Sequence, residues 1–408
     1  MENIKVKFLK NGIPVLIENI KSIETVSFGV FVKTGAINET KEESGVSHYI
    51  EHMMFKGTKS RTAKNISEDI DNVGGIINAY TGRDTTAYYT QMLANKIETG
   101  IDVLSDMFLN STFTQENLDK EKKVIIEEIK MYDDIPEEVI HEENLLFAIE
   151  GAQSNRVAGT IESVTNINRE IFLNYYKRRY VADNIIISIA GNIDEEKIIN
   201  LLDKSFGKIK KGFVEEEENE YNFNTKEKKI KKESNQVHIC FNTLGISLKH
   251  ELKYSTAIIS NVLGGNMSSR LFQKIREERG LAYSVYSYST SFIETGLFTV
   301  YAGTTKENYR EVLDIIKDEF AVIRENGITE EELQKAKNKF MTSLTLGLES
   351  SKGKMTRMAS SYMLYNKVIS VDEVVEKIEK ITMEDIKRTA ELMFDEKYYS
   401  WTILGGEI

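Results

Sequence analysis

Residues 26–35 read VSFGVFVKTG, and residues 77–92 read INAYTGRDTTAYYTQM. Both stretches are rich in β-branched and aromatic side chains, as are HICFNTLG (238–245) and GLFTVYAGTT (296–305), and this composition is typical of strands. Long amphipathic patterns with helical spacing occur elsewhere in both halves of the chain. The sequence therefore predicts an α+β fold in which mainly antiparallel sheets are covered by helices.

The two halves of the chain resemble each other. Thr114-Gln-Glu-Asn-Leu118 opens a predicted helix in the first half, and Thr329-Glu-Glu-Glu-Leu333 opens one in the second. Each segment places a capping residue before acidic residues of the first turn. Nearly the same offset separates the strands that close the halves, IIISIAGNI (185–193) and YYSWTILGGEI (398–408). Because 408 residues exceed what one core usually organises, we predict two homologous domains.

A charged segment separates these halves. Glu215 to Glu218 form an acidic run, and a lysine-rich run follows at residues 226–232. Apolar periodicity nearly vanishes there, which is typical of a solvated connector. We predict domains at residues 1–212 and 236–408, joined by a charged linker at residues 213–235.

Composition limits the classes of partner. The net charge of −11 argues against nucleic acid, because phosphate binding needs clustered Lys and Arg, and it favours neutral or basic ligands such as cationic peptides. The single cysteine, Cys240, lies in an apolar run and is expected in the core. No apolar run approaches the ~20 residues of a membrane helix. IKVKFLKNG (4–12) is typical of a strand and turn rather than a secretory signal, so we expect a cytoplasmic protein without a membrane partner.

The pentad His48-Tyr-Ile-Glu51-His52 carries the clearest chemical signal. Its two imidazoles are one helical turn apart, so both can reach a single metal ion. Glu51 lies on the adjoining part of the same face. This is the H-x-x-E-H order, in which two histidines bind zinc and the glutamate acts as a base. The alternative interpretation is a surface helix that happens to carry two histidines.

A catalytic zinc needs a third protein ligand and one open position. The predicted helix DKEKKVIIEEIKMY (119–132) offers Glu121, Glu127 and Glu128. Glu121 and Glu128 are two turns apart and share a face, whereas Glu127 points about 100° away from Glu128. Acids on a substantially buried helix need partners, but a solvated acidic face is the alternative. The spacing alone leaves the third ligand open.

With these motifs the chain resembles the pitrilysin superfamily of inverted-motif zinc peptidases, in the branch that includes mitochondrial processing peptidase and its bacterial homologues. The resemblance covers nearly the whole chain. In that family a glutamate ligand follows the pentad on a later helix, and Glu128 matches it in its distance along the chain from His52. The resemblance implies zinc bound by His48, His52 and Glu128, with Glu51 as general base and Glu121 orienting a ligand histidine.

The resemblance also implies residues that contact the substrate. GGIINAYTGRDTTAYY (74–89) is similar to the family's edge strand, to which a peptide adds as an extra strand, and Asn78 and Ala79 match positions that contact the peptide backbone. In GGNMSSRLFQKIREERGLAYSVYS (264–287), Arg276 and Tyr283 match a pair that reaches the substrate near the zinc. The tyrosine would donate to the scissile carbonyl, and the arginine would hold the peptide backbone.

The second half lacks the metal-binding residues. Glu121 and Glu128 correspond there to Ala336 and Ser343, and residues 255–265, the counterpart of the pentad, contain no histidine and no acid. The resemblance therefore implies one Zn²⁺ per chain in the first domain. The second domain would complete a clamshell around a peptide chamber.

These observations predict a zinc metalloendopeptidase that cleaves short or unfolded peptides, with a mild preference for basic ones. The family alone suggests a homodimer. Two alternatives stay open: a non-catalytic peptide-binding or structural homologue, and one subunit of a hetero-oligomeric processing peptidase. The first predicts a broken motif, but positions 48, 51, 52 and 128 are intact.

Overall fold

The protein is described by a computed structural model that covers residues 4–214, 221–406 and 408. It divides into two compact units. The first comprises residues 4–130, 155–214 and 346–370, and the second comprises residues 131–154, 221–345 and 371–406. The acidic run Glu215 to Glu218 of the predicted linker lies outside the described residues.

Strands and helices alternate irregularly along the chain. In chain order the strands are β1 Ile4–Phe8, β2 Pro14–Asn19, β3 Thr25–Val32, β4 Ile76–Thr81, β5 Thr86–Leu93, β6 Ile149–Glu150, β7 Ile185–Gly191, β8 Asn222–Phe223, β9 Glu227–Lys231, β10 Val237–Leu244, β11 Ala282–Ser291, β12 Gly296–Thr304 and β13 Ser400–Gly405. The α-helices are α1 Val46–Met54, α2 Ala63–Asp71, α3 Ile97–Asn110, α4 Gln115–Asp133, α5 Pro136–Ala148, α6 Ile161–Asn166, α7 Arg169–Arg179, α8 Glu195–Lys204, α9 Lys253–Gly264, α10 Tyr309–Asn326, α11 Glu330–Gly347, α12 Ser351–Tyr365, α13 Val371–Glu379 and α14 Met383–Met393. A π-helix spans Phe272–Glu277. Within the described ranges, none of the helices is long and apolar enough to cross a membrane.

Each unit is organised by one large sheet. The first sheet has the order β1-β2-β7-β3-β5-β4, and the second has the order β11-β12-β10-β13-β9. Neighbouring strands pair antiparallel except β2 with β7 and β13 with β9. The predicted α+β class, with mainly antiparallel sheets covered by helices, is confirmed.

Side-chain alternation along β3 separates the first unit into two apolar layers. Its even-numbered residues from Val26 to Val32 belong to the main core, together with residues of α1, α3 and α7. Phe31 faces the other way and clusters with Met355 and Met358 of α12. Gly29 allows α12 to approach the sheet, because a Cβ there would lie 2.9 Å from Sδ of Met355.

The second unit repeats this arrangement. Its main core joins β10 and β12 to α9, α10 and α14, and Cys240 on the opposite face is buried against Ile140 of α5. The first residue of α12, Ser351, follows the first residue of α5, Pro136, by the same offset that separates Thr329 from Thr114. Each half of the sequence therefore contributes one helix to the unit that the other half mainly forms.

The contiguous domains predicted at 1–212 and 236–408 differ from the two units in these exchanged segments. An amphipathic pattern specifies that one face of a helix is buried, but it does not specify which sheet buries it. The sequence therefore predicts α5 and α12 as helices without assigning either to its unit.

The internal repeat extends to single contacts. On α4, Nζ of Lys122 donates to the carbonyls of Thr165 and Ile167, both at 2.8 Å, where α6 ends. On α11, Nζ of Lys337 donates to the carbonyls of Glu379 and Ile381 at 2.8 and 2.7 Å, where α13 ends. The two lysines are separated by the same offset as the starts of α5 and α12. Each lysine therefore donates to one carbonyl in the last turn of a helix and to one just beyond the helix end, where carbonyls lack helical partners.

Part of the predicted linker belongs to the second sheet. β9 lies within residues 213–235 and pairs with β13. Ile230 joins the cluster beneath α5, and Nζ of Lys228 lies 2.7 Å from a carboxylate oxygen of Glu143. A lysine can cover apolar surface with its stem while its amine reaches a charge. A strand as rich in lysine as β9 lacks the alternation of apolar and polar residues by which strands are predicted.

Candidate metal centre

Helix α1 presents the pentad on one side and packs into the core with the other. Tyr49, Ile50 and Met53 are buried in the main core of the first unit. His48 and His52 lie on the remaining face, with ring centroids 4.6 Å apart and planes inclined at 68°. The predicted placement of both imidazoles on one face of a helix is confirmed.

A glycine starts this helix. Gly45 precedes α1 with φ of 90°, in the left-handed region that side chains disfavour. A Cβ at this position would also lie 2.7 Å from the carbonyl oxygen of Ala158. Gly45 therefore meets both a conformational and a packing requirement at the entry to α1.

Helix α4 brings a carboxylate to the two histidines. Oε2 of Glu128 lies 3.8 Å from Nε2 of His48 and 3.5 Å from Nε2 of His52. One ligand atom from each of these three residues lies within 4.8 Å of the others, and within the described ranges this is the one such group of His, Cys, Asp or Glu. The side chain of Glu127 is 71% exposed and pairs with Lys130. The helical pattern did not decide which of these two adjacent acids is the third ligand candidate. The structure places Glu128 beside the two histidines and Glu127 in solvent.

Glu121 holds the far nitrogen of His52. Its Oε2 lies 3.2 Å from Nδ1 of His52, and its Oε1 lies 2.8 Å from Nζ of Lys56. Burial acts to raise the pKa of Glu121, but hydrogen bonds from His52 and Lys56 outweigh burial and lower the pKa below its usual value. An ionised carboxylate at Nδ1 favours the tautomer that leaves the lone pair on Nε2, which faces Glu128.

His48 has a different environment. Its Nδ1 is buried and has no hydrogen-bond partner among the described residues. Burial, followed by the neighbouring His52, lowers the pKa of His48 to about 4. His48 is therefore a neutral imidazole at pH 7, and within the described ranges no side chain bonds its Nδ1 as Glu121 bonds that of His52.

Glu51 points from α1 toward strand β4. The hydroxyl of Thr81, at the end of β4, donates a hydrogen bond to Oε2 of Glu51. Burial raises the pKa of Glu51, the Thr81 bond and the charge of His52 lower it, and Glu128 raises it further; the net shift is upward. The site therefore joins a carboxylate of raised basicity to the two histidines and Glu128.

Strand β4 is an edge of the first sheet and pairs with β5 alone in the described structure. Asn78 is exposed, and Ala79 packs partly against the main core. The backbone N–H of Ala79 donates to Oδ1 of Asn78 at 2.8 Å. The residues predicted to contact a peptide thus lie on an open strand that also carries Thr81.

Arg276 and Tyr283 lie together in the second unit. The guanidinium carbon of Arg276 is 5.0 Å from the ring centroid of Tyr283 and 4.8 Å from that of Phe272. Arg276 is on the π-helix, and Tyr283 is 74% exposed at a β-bulge between Ala282 and Ser284. The two residues predicted to reach the substrate therefore lie next to each other, and their role toward a substrate stays a prediction.

Sequence reasoning missed Thr81 and Lys56. Lys56 lies one turn after His52, a spacing that could have placed it beside Glu121. Thr81 had no comparable signal, because its contact with Glu51 depends on how β4 lies against α1. Thr81 acts to lower the pKa of Glu51, and Lys56 acts to lower the pKa of Glu121.

The chain is similar to two peptidase family models and to several proteins named zinc proteases. Residues 14–159 match the family described as Insulinase (Peptidase family M16), and residues 166–340 match the Peptidase M16 inactive domain. The chain is 38% identical to an uncharacterized zinc protease, YmxG, of Bacillus subtilis over 95% of each chain. It is 34% identical to an uncharacterized zinc protease of Rickettsia felis, covering 96% of this chain and 95% of that one.

A solved structure shares the fold. A protease from Helicobacter pylori superposes with a TM-score of 0.92 at 20% identity, covering 99% of this chain and 100% of that chain. The resemblance to inverted-motif zinc peptidases is confirmed, and the narrower similarity to processing peptidases stays a prediction. With relatives of this identity over nearly its full length, the chain belongs to peptidase family M16.

Proposed function

We propose that this chain is a zinc metalloendopeptidase that holds one Zn²⁺ through His48, His52 and Glu128. The observation that carries the proposal is the approach of one ligand atom from each of these residues to within 4.8 Å of the others. Relatives named zinc proteases support the same conclusion. Glu51, on the same helix as the two histidines, supplies the general base.

The donor set fits zinc. Two imidazole nitrogens and one carboxylate oxygen form a common three-ligand set for catalytic zinc, which keeps a fourth position open. His48 is neutral at pH 7 because its pKa is lowered to about 4, so no proton has to leave before it binds metal. Zinc held here would supply a Lewis acid that polarises the scissile carbonyl and makes the attacking water more acidic.

Glu51 is suited to move the proton. Its Oε2 accepts the hydrogen bond from Thr81, which leaves Oε1 for the attacking water. Glu51 would take a proton at Oε1 as the water attacks and return it to the leaving amine nitrogen. The raised pKa of this carboxyl brings its basicity closer to neutral pH, where a general base is most effective.

The substrate would bind as an extra strand on β4. An unpaired strand edge offers backbone donors and acceptors to an extended peptide, and side-chain pockets then select among sequences. Such a peptide would contact Asn78 and Ala79 and pass beside Glu51, which Thr81 joins to the same strand. A peptide carbonyl arriving there would compete with Oδ1 of Asn78 for the N–H of Ala79.

The remaining parts of the proposal rest on the resemblance. Tyr283 would donate to the scissile carbonyl, and Arg276 would hold the peptide backbone. A preference for short or unfolded peptides follows from a substrate chamber, and a mild preference for basic peptides follows from the net charge of −11. A homodimer is part of the same proposal.

The name of the second family match does not favour a non-catalytic chain. The description "inactive domain" belongs to residues 166–340. The candidate metal ligands His48, His52 and Glu128 lie inside the other match. A chain with one metal-binding half and one half without these ligands accounts for both matches.

The proposal is tested by replacing the base without touching the ligands. Wild type, Glu51→Gln and the matched control Glu127→Gln are assayed for bound zinc and for cleavage of a quenched peptide library. We expect all three to hold one zinc per chain, with Glu51→Gln losing at least about 100-fold in kcat/KM and Glu127→Gln retaining activity. The proposal would be contradicted if the wild type holds zinc but cleaves no peptide of the library, or only peptides that Glu51→Gln cleaves as well.

A further inference from the structure

A buried glutamate outside the pentad, Glu39, accepts hydrogen bonds at the start of α1. Oε2 of Glu39 accepts the backbone N–H of Gly45 at 2.7 Å, and Oε1 accepts the backbone N–H of Ser47 at 2.7 Å. Glu39 is 6% exposed. The first N–H groups of any helix lack partners within it, and a residue at the N-cap usually supplies one through its side chain. Gly45 has no side chain, so Glu39 supplies this function from an upstream position in the loop.

Glu39 carries out this function without a cation. Within the described chain no lysine or arginine forms an ion pair with it, and the nearby Arg178 pairs with Glu43 instead. Its partners are backbone N–H groups at the positive end of a helix, where a carboxylate is favoured. A buried charge that lacks a cation is costly to keep, and such groups concentrate at functional sites.

The two ligand histidines depend differently on this arrangement. His52 is held through Nδ1 by Glu121, whereas Nδ1 of His48 has no partner in the described part of the chain. No hydrogen bond at Nδ1 directs the His48 ring in these residues, so its direction depends on packing against His52 and on the backbone that carries it. His48 directly follows Ser47, whose N–H is bound by Glu39 and whose hydroxyl lies 2.9 Å from the hydroxyl of Tyr175.

We propose that Glu39 is a positioning residue of the metal site, whose carboxylate fixes the first turn of α1 and so aims His48 at His52 and Glu128. This inference rests on the proposed function, because it assigns Glu39 to the same zinc site. It adds a fourth acid to the site, one that contacts neither the metal nor the substrate.

The test replaces the carboxylate and reads the metal directly. Glu39→Gln keeps the shape of the side chain but can accept only one of the two N–H bonds, and Glu39→Asp keeps the charge on a shorter stem. Glu43→Gln is the control, since it removes the same charge from the same loop at a residue that makes no hydrogen bond to α1. Each full-length variant is titrated with Zn²⁺ against a competing chelator and with Co²⁺ to record the absorption bands of its ligand field.

We expect Glu39→Gln to bind Zn²⁺ at least about tenfold more weakly than wild type, as for other groups that orient metal ligands. Its Co²⁺ spectrum should change. Its kcat should fall by a larger factor than any change in KM, because the peptide-binding strand is untouched. Glu39→Asp should lie between Glu39→Gln and wild type, and Glu43→Gln should match wild type. If Glu39→Gln does not fold, the Glu39→Asp titration decides.

Wild-type Zn²⁺ affinity and Co²⁺ bands in folded Glu39→Gln would overturn the inference. Loss of affinity to the same extent in Glu43→Gln would overturn it too, because the effect would then be general to the loop. The metal readout is independent of catalysis. A wild type that binds zinc but cuts nothing would contradict the proposed function while the titrations still decide the role of Glu39.

Discussion

Oε2 of Glu121 lies 3.2 Å from Nδ1 of His52, which ties a proposed zinc ligand to a buried carboxylate. Removal of such a partner typically lowers metal affinity by about 10- to 100-fold. We expect Glu121→Gln to lower Zn²⁺ affinity within this range, and Lys56→Met, which leaves the carboxylate in place, to lower it less. Chelator competition measures both. Equal affinity in Glu121→Gln and wild type would show that this contact does not support the metal.

We expect Thr81 to set the acid limit of activity through its hydrogen bond to Glu51. Its hydrogen bond lowers the pKa of a carboxyl that burial raises, so removing the bond should raise this pKa further. In Thr81→Val the acid limb of the kcat/KM profile should therefore move to higher pH, whereas Thr81→Ser should resemble wild type. A limb at the same pH in Thr81→Val and wild type would argue against Glu51 as the group that titrates.

Stability of the zinc-free protein should depend on pH through Glu39. Burial, opposed by the N–H bonds of Ser47 and Gly45, raises the pKa of Glu39 from 4.5 to about 7. The folded state binds this proton more tightly than the unfolded state, so the contribution to stability is full below pH 4.5 and is lost as the pH rises through about 7. The rise in the pKa of Glu39 from 4.5 to about 7 corresponds to about 3 kcal/mol in the free energy of unfolding.

Glu39→Gln has no such proton to lose. Denaturant unfolding at pH 4.5 and at pH 8 should therefore give a smaller fall in the free energy of unfolding for this variant than for wild type. Glu43→Gln provides the comparison for a charge removed nearby. The same fall in Glu39→Gln and wild type would rule out a raised pKa at Glu39.

The matched lysines allow a test of the internal repeat. Lys122→Met and Lys337→Met each remove two hydrogen bonds to helix-end carbonyls, in the first and the second unit respectively. Each change should lower the free energy of unfolding of its unit by about 1–2 kcal/mol. Thermal unfolding measures both variants. A loss confined to one lysine would show that the matching contacts are not equivalent in the two repeats.

Much of the site was predictable because helical spacing fixes which side chains share a face. His48 and His52, one turn apart, and Glu121 and Glu128, two turns apart, follow this rule and meet as expected. The choice between Glu127 and Glu128 needed either the family or the structure. Glu39 was not predictable, since its contact with α1 crosses a loop whose path depends on the left-handed Gly45.

The exchange of α5 and α12 lies beyond sequence patterns for a different reason. Ile140 and Met355 mark buried faces, but either face could pack on either sheet as far as apolar periodicity is concerned. Strand β9 escaped prediction because Lys228, half-buried and ion-paired with Glu143, stands at a position where alternation predicts an apolar residue. Long-range packing decided both features.

The identity of the third ligand tests the metal centre most directly. Zinc content per chain is measured by elemental analysis in wild type, Glu128→Gln and Glu127→Gln after equal exposure to chelator. Glu128 faces both histidines, whereas Glu127 is exposed and paired with Lys130. The proposed centre predicts one zinc per chain in wild type and Glu127→Gln and loss of zinc in Glu128→Gln. Zinc retained in Glu128→Gln but lost in Glu127→Gln would contradict it.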